Sequence, residues 1–134
     1  MRLPRRLVPA LLAALLLPAC ASAPPRGPGP KPGVVPRVGS TVTGTASWYG
    51  PGYHGKRTSS GEVFDQDALT AAHFDWAFGT RVEVTLLSTG KKVVVRINNR
   101  LPRRDRIIDL SRGAARRIGL IGPGTGRVRL EVVR

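Results

Sequence analysis

One cysteine, Cys20, and two histidines, His54 and His73, are all that 134 residues contain of the softer metal-binding side chains. No intrachain disulfide can form, and no closed set of metal ligands can be assembled from so few, so neither a metal nor a cofactor is expected. Carboxylates are also scarce, with eight aspartates and glutamates against 22 lysines and arginines. Proton-transfer chemistry therefore has a short list of candidates. Long hydrophobic runs are missing too. The longest apolar stretch, Leu7 to Ala19, has thirteen residues, short of the about 20 that a helix needs to cross a bilayer. The glycine-rich stretch Gly119 to Gly126 lacks the lysine–serine pair of a phosphate-binding loop, and no G-x-S-x-G elbow occurs.

The short apolar run follows Met1-Arg2-Leu3-Pro4-Arg5-Arg6 and ends in Leu17-Pro18-Ala19-Cys20. A basic start, a short apolar core and a cleavage-like end make residues 1–19 a secretory leader. The end resembles a bacterial lipobox, which accounts for the unpaired Cys20 as an acylated mature N-terminus. Several acyl chains anchor firmly where one does not. Alanine at position 21 favours the outer membrane over the inner, with the protein facing the periplasm. Removal of Arg2, Arg5 and Arg6 with the leader lowers the formal charge from +14 to +11. That charge suits anionic wall polymer or phospholipid head groups, and an exported protein does not meet nucleic acid. An arginine-rich solvated surface explains it equally well.

Residues 20–40 read as a linker. Six of the twelve prolines fall between Pro24 and Pro36, no apolar periodicity is present, and about 20 extended residues reach roughly 60 Å. The folded domain is then 41–134. Thr41 to Tyr49 reads as a strand and Asp67 to His73 as a single helical turn. Arg81–Leu87 and Lys92–Asn98 alternate apolar and polar residues around the turn Ser88-Thr89-Gly90-Lys91, which makes a hairpin. Arg106–Asp109 reads as a short strand. Ser111 caps a short helix that Gly119 ends, and Val128, Leu130 and Val132 alternate in a last strand. Five or six strands with one or two short helices make a mainly β protein, a small β-barrel expected to act as a monomer.

Trp48, Tyr49 and Tyr53 lie among glycines, where aromatic faces beside permissive backbone suit flat ligands such as sugar rings. Five of the acidic residues have ordinary places: Glu83 and Glu131 on polar strand faces, Asp105 among arginines, Asp67 and Asp75 at turns or caps. Glu62, Asp65 and Asp109 remain. A carboxyl held among apolar groups keeps its proton to higher pH and serves as a general acid. On spacing alone, Asp65 and Asp109 fit helix-end capping equally well. His73 fits either a base or a satisfied core residue, and His54 a surface residue.

Gly44-Thr-Ala-Ser-Trp-Tyr-Gly50, Tyr53-His-Gly55, Thr58-Ser-Ser-Gly-Glu62, Phe64-Asp65, Leu69-Thr-Ala-Ala-His73, Gly79-Thr80, Val93-Val-Val-Arg-Ile-Asn98 and Arg106-Ile-Ile-Asp-Leu-Ser111 occur in that order. The ordered set, over about residues 43–133, resembles the rare lipoprotein A (RlpA) family. The resemblance implies a six-stranded double-psi β-barrel and an endolytic peptidoglycan lytic transglycosylase. Such an enzyme cuts glycan strands between N-acetylmuramic acid and N-acetylglucosamine and leaves 1,6-anhydro ends. It implies catalytic parts for Glu62, Asp65 and His73. Asp109 lies in a segment that also resembles the acid-bearing element of expansins and related barrel endoglucanases. Glycan contacts are expected from Trp48, Tyr49, Tyr53, Asn98, Asn99 and Arg100. Many members carry a C-terminal SPOR domain, which is expected to be absent here. Where the family reads Asn-Asp-Arg-Gly-Pro, this sequence reads Asn98-Asn99-Arg100-Leu101-Pro102. An amide orients a sugar hydroxyl as a carboxylate does but moves no proton. A non-catalytic, expansin-like glycan-binding lipoprotein is the second reading.

Overall fold

The structure, a computed structural model, describes residues 33–134. The leader, Cys20 and the first part of the linker lie outside the described residues. Six strands, β1 (Thr41–Tyr49), β2 (Thr70–His73), β3 (Arg81–Leu86), β4 (Lys92–Arg100), β5 (Ile108–Ser111) and β6 (Gly126–Val133), are joined by one helix, α1 (Arg112–Ile118). They close into a barrel in the order β1-β5-β2-β4-β3-β6. Pairs β1/β5 and β2/β4 are parallel and the other four antiparallel. Closure gives each described strand a paired neighbour on both sides.

The alternation in the sequence is the alternation of the barrel wall. Val82, Val84 and Leu86 from β3, Val95 and Ile97 from β4, and Val128, Leu130 and Val132 from β6 point inward and are buried. The alternate residues of β3, Arg81, Glu83 and Thr85, are partly or fully open to solvent. The hairpin forms as the sequence indicates, with Leu86 N–H donating to Lys91 C=O at 2.9 Å. Ser111 caps α1 through a hydrogen bond from Ala114 N–H at 3.2 Å, and Gly119 closes it at φ 77°, the left-handed conformation glycine adopts without strain.

Two segments differ from the sequence reading. Thr70–His73 is a strand, not a helical turn: Ala71 and Ala72 pair with β4 on one side and β5 on the other, and both are buried. Alanine's helix preference, a few tenths of a kcal/mol over most residues, is outweighed by burial and two ladders of hydrogen bonds at about 1 kcal/mol each. The strand read at Arg106–Asp109 runs instead over Ile108–Ser111, which sets Asp109 inside the sheet and leaves helix capping to Ser111. The last part of the segment read as linker lies against the barrel. Val34 N–H donates to Asp75 C=O at 2.6 Å, Ala77 N–H to Val34 C=O at 2.7 Å and Gly39 N–H to Val132 C=O at 2.8 Å.

Candidate active site

Register builds the site. Ser47 of β1 is the cross-strand partner of Asp109 of β5, Asp109 of Ala72 of β2, and Ala72 of Asn99 of β4. The last step depends on a bulge: β2 pairs Ala71 with Ile97 and then Ala72 with Asn99, passing over Asn98. A bulge re-aims the residues that follow it, and here it brings Asn99 rather than Asn98 into the row. Alanine in the middle of the row leaves open space above it. That space is a cleft of about 360 Å³, whose lining includes Trp48, Tyr49, Ala72, Asn99, Arg106 and Asp109. Its size is within the range of ligand pockets.

Asp109 is the carboxylate in this cleft. Its side chain is 11% exposed and holds Arg106 in a two-pronged pair, Nε to Oδ1 at 2.5 Å and Nη2 to Oδ2 at 2.9 Å. The Ser47 hydroxyl donates to Oδ1 as well. Two fixed donors define where the carboxylate stands, and the pair holds the Arg106 guanidinium more firmly protonated than usual.

Glu62 is set differently. It accepts from Arg96 Nη1 and Nη2 at 2.8 and 3.0 Å and from Asn98 Nδ2 at 2.6 Å. The hydrogen bonds from Arg96, then that from Asn98, hold its carboxyl below the usual range, so Glu62 is a fixed negative charge rather than a proton donor. The residue skipped by the bulge is thus the one that orients Glu62. Both Glu62 and Asp109 act electrostatically on the Tyr49 hydroxyl, which burial above all keeps from ionising.

His73 is buried, sandwiched between the rings of Phe74 and Trp76 at 4.4 and 4.2 Å. Its Nδ1 accepts from the backbone N–H groups of Asp75 and Trp76 at 3.2 and 3.0 Å. Burial lowers its pKa to about 4. The 3.4 Å approach of Asp75 Oδ1 to Nδ1 is therefore no ion pair, and the neutral ring carries its proton on Nε2. Asp65 is exposed and accepts from Asp67 N–H at 2.9 Å, an Asx turn. His54 is exposed and accepts from Gln66 N–H at 3.1 Å. Of the four candidate catalytic residues, the structure places Asp109 in the cleft and Glu62 beside it. It places His73 in the wall, and Asp65 in a surface turn.

The aromatic residues divide in the same way. Trp48 and Tyr53 line the cleft, and Tyr53 is 56% exposed. One face of Tyr49 is covered by Phe64, stacked at 4.7 Å, and Tyr53 meets it edge-on at 5.7 Å. Arg100 reaches the cleft but is tied down, with Nη1 donating to Trp76 C=O at 2.7 Å and the guanidinium 4.0 Å above the Phe78 ring. Ser47, Arg96 and Arg106 were not singled out by the sequence. Arg106 sits in a run that reads as solvated surface. Ser47 becomes a partner of Asp109 only through a parallel pairing of residues 62 apart.

Residues 41–130 match the family model DPBB_1, described as "Lytic transglycolase". The chain is 60% identical over 92 residues to the "Probable endolytic peptidoglycan transglycosylase RlpA" of a Synechocystis strain, covering 68% of this chain and 29% of that protein. It is 55% identical over 97 residues to the "Endolytic peptidoglycan transglycosylase RlpA" of Campylobacter jejuni, covering 72% and 35%. The chain therefore spans about a third of the length of these curated relatives. Among solved structures, the Streptomyces papain inhibitor superposes with TM-score 0.62 at 23% identity, over 75% of this chain and 100% of that one. Apo-Clavibacter michiganensis expansin does so with TM-score 0.59 at 23% identity, over 71% and 51%. These two share the barrel fold. The family model covers the strands that carry the Ser47–Asp109–Ala72–Asn99 row, and the chain belongs to the lytic transglycolase family of double-psi β-barrels.

Proposed function

We propose that the protein is an endolytic lytic transglycosylase that cleaves peptidoglycan glycan strands, with Asp109 as its proton-transfer residue. The observation that carries this reading is a carboxylate in the cleft, the one among the described residues that line it, held in place by Arg106 and Ser47 beside an exposed aromatic wall. The names of the relatives support the substrate class.

The reaction balances without water. The bond from C1 of a muramyl residue to O4 of the next glucosaminyl residue breaks. The muramyl O6 bonds to C1. O4 gains one proton and O6 loses one. Asp109 as a carboxylate takes the second and, carrying that proton, gives it to O4, so one group closes the cycle. Positioned acid–base catalysis of this kind supplies about 10² to 10⁴ in rate. The transition state is cationic at C1 and the ring oxygen, and the fixed negative charge of Glu62 lowers its energy. Asn99 contributes hydrogen bonds and no proton. His73, with Nδ1 occupied by two backbone donors, shapes the wall.

Turnover of purified sacculi tests the assignment. Asp109→Asn is expected to lower it at least about a hundredfold and Glu62→Gln by less, with glycan binding kept in both. Full activity of Asp109→Asn overturns the assignment. Binding without any turnover by the wild type favours instead a non-catalytic, expansin-like glycan-binding protein, a reading that Asn99 supports.

The protein, in this reading, works from the cell envelope, held by lipid on Cys20 at the outer membrane and facing the periplasm. The leader, the lipobox-like end and the proline-rich segment after it support this. Cys20→Ser is expected to move the protein from membranes to the soluble periplasmic fraction, and unchanged fractionation contradicts the anchor.

A further inference from the structure

We propose that Tyr49 is a hydrogen-bond donor to the glycan and that Asn99 sets the direction of its hydroxyl, so that the cleft reads a carbonyl or carboxylate oxygen of the ligand. This rests on the glycan reading above.

The direction follows from the donors around Asn99. Its Oδ1 accepts from Ser59 N–H at 3.0 Å, from the Ser59 hydroxyl at 2.9 Å and from its neighbour Arg100 N–H at 2.9 Å. Two of these are backbone N–H groups, which only donate, so the amide has one orientation: oxygen toward them, nitrogen away. Nδ2 then lies 3.3 Å from Tyr49 Oη. An amide nitrogen accepts nothing, so the phenol oxygen is the acceptor in this contact. The phenol's own proton is left for another partner, and the hydroxyl makes no second side-chain hydrogen bond among the described residues. Phe64 and Tyr53 fix the ring, and the residue lines the cleft. With Phe64 over one face, the ring is a poor stacking platform, and its hydroxyl end is what it offers a ligand.

An aspartate at position 99 accepts the same three donors. It has no proton for Tyr49, so the phenol turns and donates to the carboxylate. The exchange of one nitrogen for one oxygen thus converts the rim of the cleft from a donor to an acceptor. A peptidoglycan strand offers acceptor-only oxygens in its N-acetyl carbonyls and in the lactyl carboxyl or amide carbonyl of muramic acid. A β-1,4-glucan has neither.

Chitohexaose and cellohexaose, both uncharged, are the probes. Wild-type protein is expected to bind chitohexaose more tightly by about two- to tenfold, the worth of one net hydrogen bond. Tyr49→Phe and Asn99→Asp each erase the difference with an unchanged melting temperature, and the double variant loses nothing more. Tyr49→Phe binding as wild type does, tighter binding by Asn99→Asp, or multiplying losses overturns the proposal. If chitohexaose has no advantage but denuded muramyl strands bind in a Tyr49-dependent manner, the oxygen read is that of the lactyl group. If no glycan binds at all, the glycan reading fails. The direction of the bond is then decided separately by the Asn99 side-chain amide proton resonance, which Tyr49→Phe should move upfield. An unmoved resonance overturns the assignment.

Discussion

Asp109 and Asn99 stand on either side of Ala72 in one register row, and a bulge in β4 puts Asn99 there in place of Asn98. The two consecutive asparagines consequently have separate duties: Asn98 orients Glu62, and Asn99 faces Tyr49. Ala72 is the small floor between them.

The support of Asp109 is measurable as stability. Ser47→Ala removes one charge-assisted donor and is expected to cost about 1–2 kcal/mol in chemical denaturation. Arg106→Met removes two bonds and leaves a buried carboxylate without its cation, so its cost should be the larger. Unchanged midpoints in both variants would mean that the backbone alone positions Asp109.

His73 makes the fold sensitive to acid. Its folded pKa of about 4 lies below the unfolded value of 6.5, so the unfolded chain binds the proton first. Stability is full above pH 6.5 and falls as pH drops toward 4, by about 3 kcal/mol. Asp75 raises this pKa and Arg100 lowers it, both less than burial does. In His73→Asn, whose Oδ1 replaces Nδ1 as acceptor, the loss over this window should shrink, with equilibrium unfolding at stepped pH as the measurement. An equal loss in wild type and variant removes His73 as its source.

Gly113 separates two opposing effects. A Cβ there would lie 2.3 Å from the Asp67 carbonyl oxygen, while one at Gly122 meets nothing within 4 Å. Alanine gains about 1 kcal/mol of helix propensity over glycine, but a backbone clash costs about 1–3 kcal/mol. The Gly113 N–H bond to Gln66 C=O at 2.8 Å leaves α1 no room to withdraw. Gly113→Ala should therefore lower the melting temperature and Gly122→Ala leave it nearly unchanged. Thermal unfolding decides, and a Gly113→Ala variant as stable as the wild type contradicts the close docking of α1.

Tyr53 tests the aromatic wall without disturbing the core. It is more than half exposed, so Tyr53→Ala should retain its stability and weaken sacculus binding. The basic surface adds attraction to an anionic wall that salt screens over about 10 Å at 0.1 M. Equal binding by variant and wild type at every ionic strength rules out Tyr53 as a glycan contact.

The barrel was legible because its walls alternate. Arg81–Leu86 and Gly126–Val133 carry the period of two in plain view, and Ser111 and Gly119 mark both ends of α1. Thr70–His73 was not, because Ala71 and Ala72 carry no strand signature and owe their form to β4 and β5. The polar groups were legible as a set of types rather than as a site. Glu62, Asp65 and Asp109 remain once the other five acidic residues have ordinary places, with capping open for Asp65 and Asp109, yet the partners Arg96, Ser47 and Arg106 come from pairing across the barrel or from a run that reads as surface. His73 is the opposite case: its chemistry leaves a base and a core residue both open, and burial and two backbone donors set it in the wall.

The chemistry of the cut ends is the most direct test. Purified protein is incubated with sacculi and the released fragments are weighed by mass spectrometry. Muramyl ends in the 1,6-anhydro form, released by the wild type and nearly absent with Asp109→Asn, are the result expected of intramolecular attack by O6 with Asp109 moving the proton. Reducing muramyl ends, which carry the elements of water, or 1,6-anhydro ends released equally by Asp109→Asn, would contradict it.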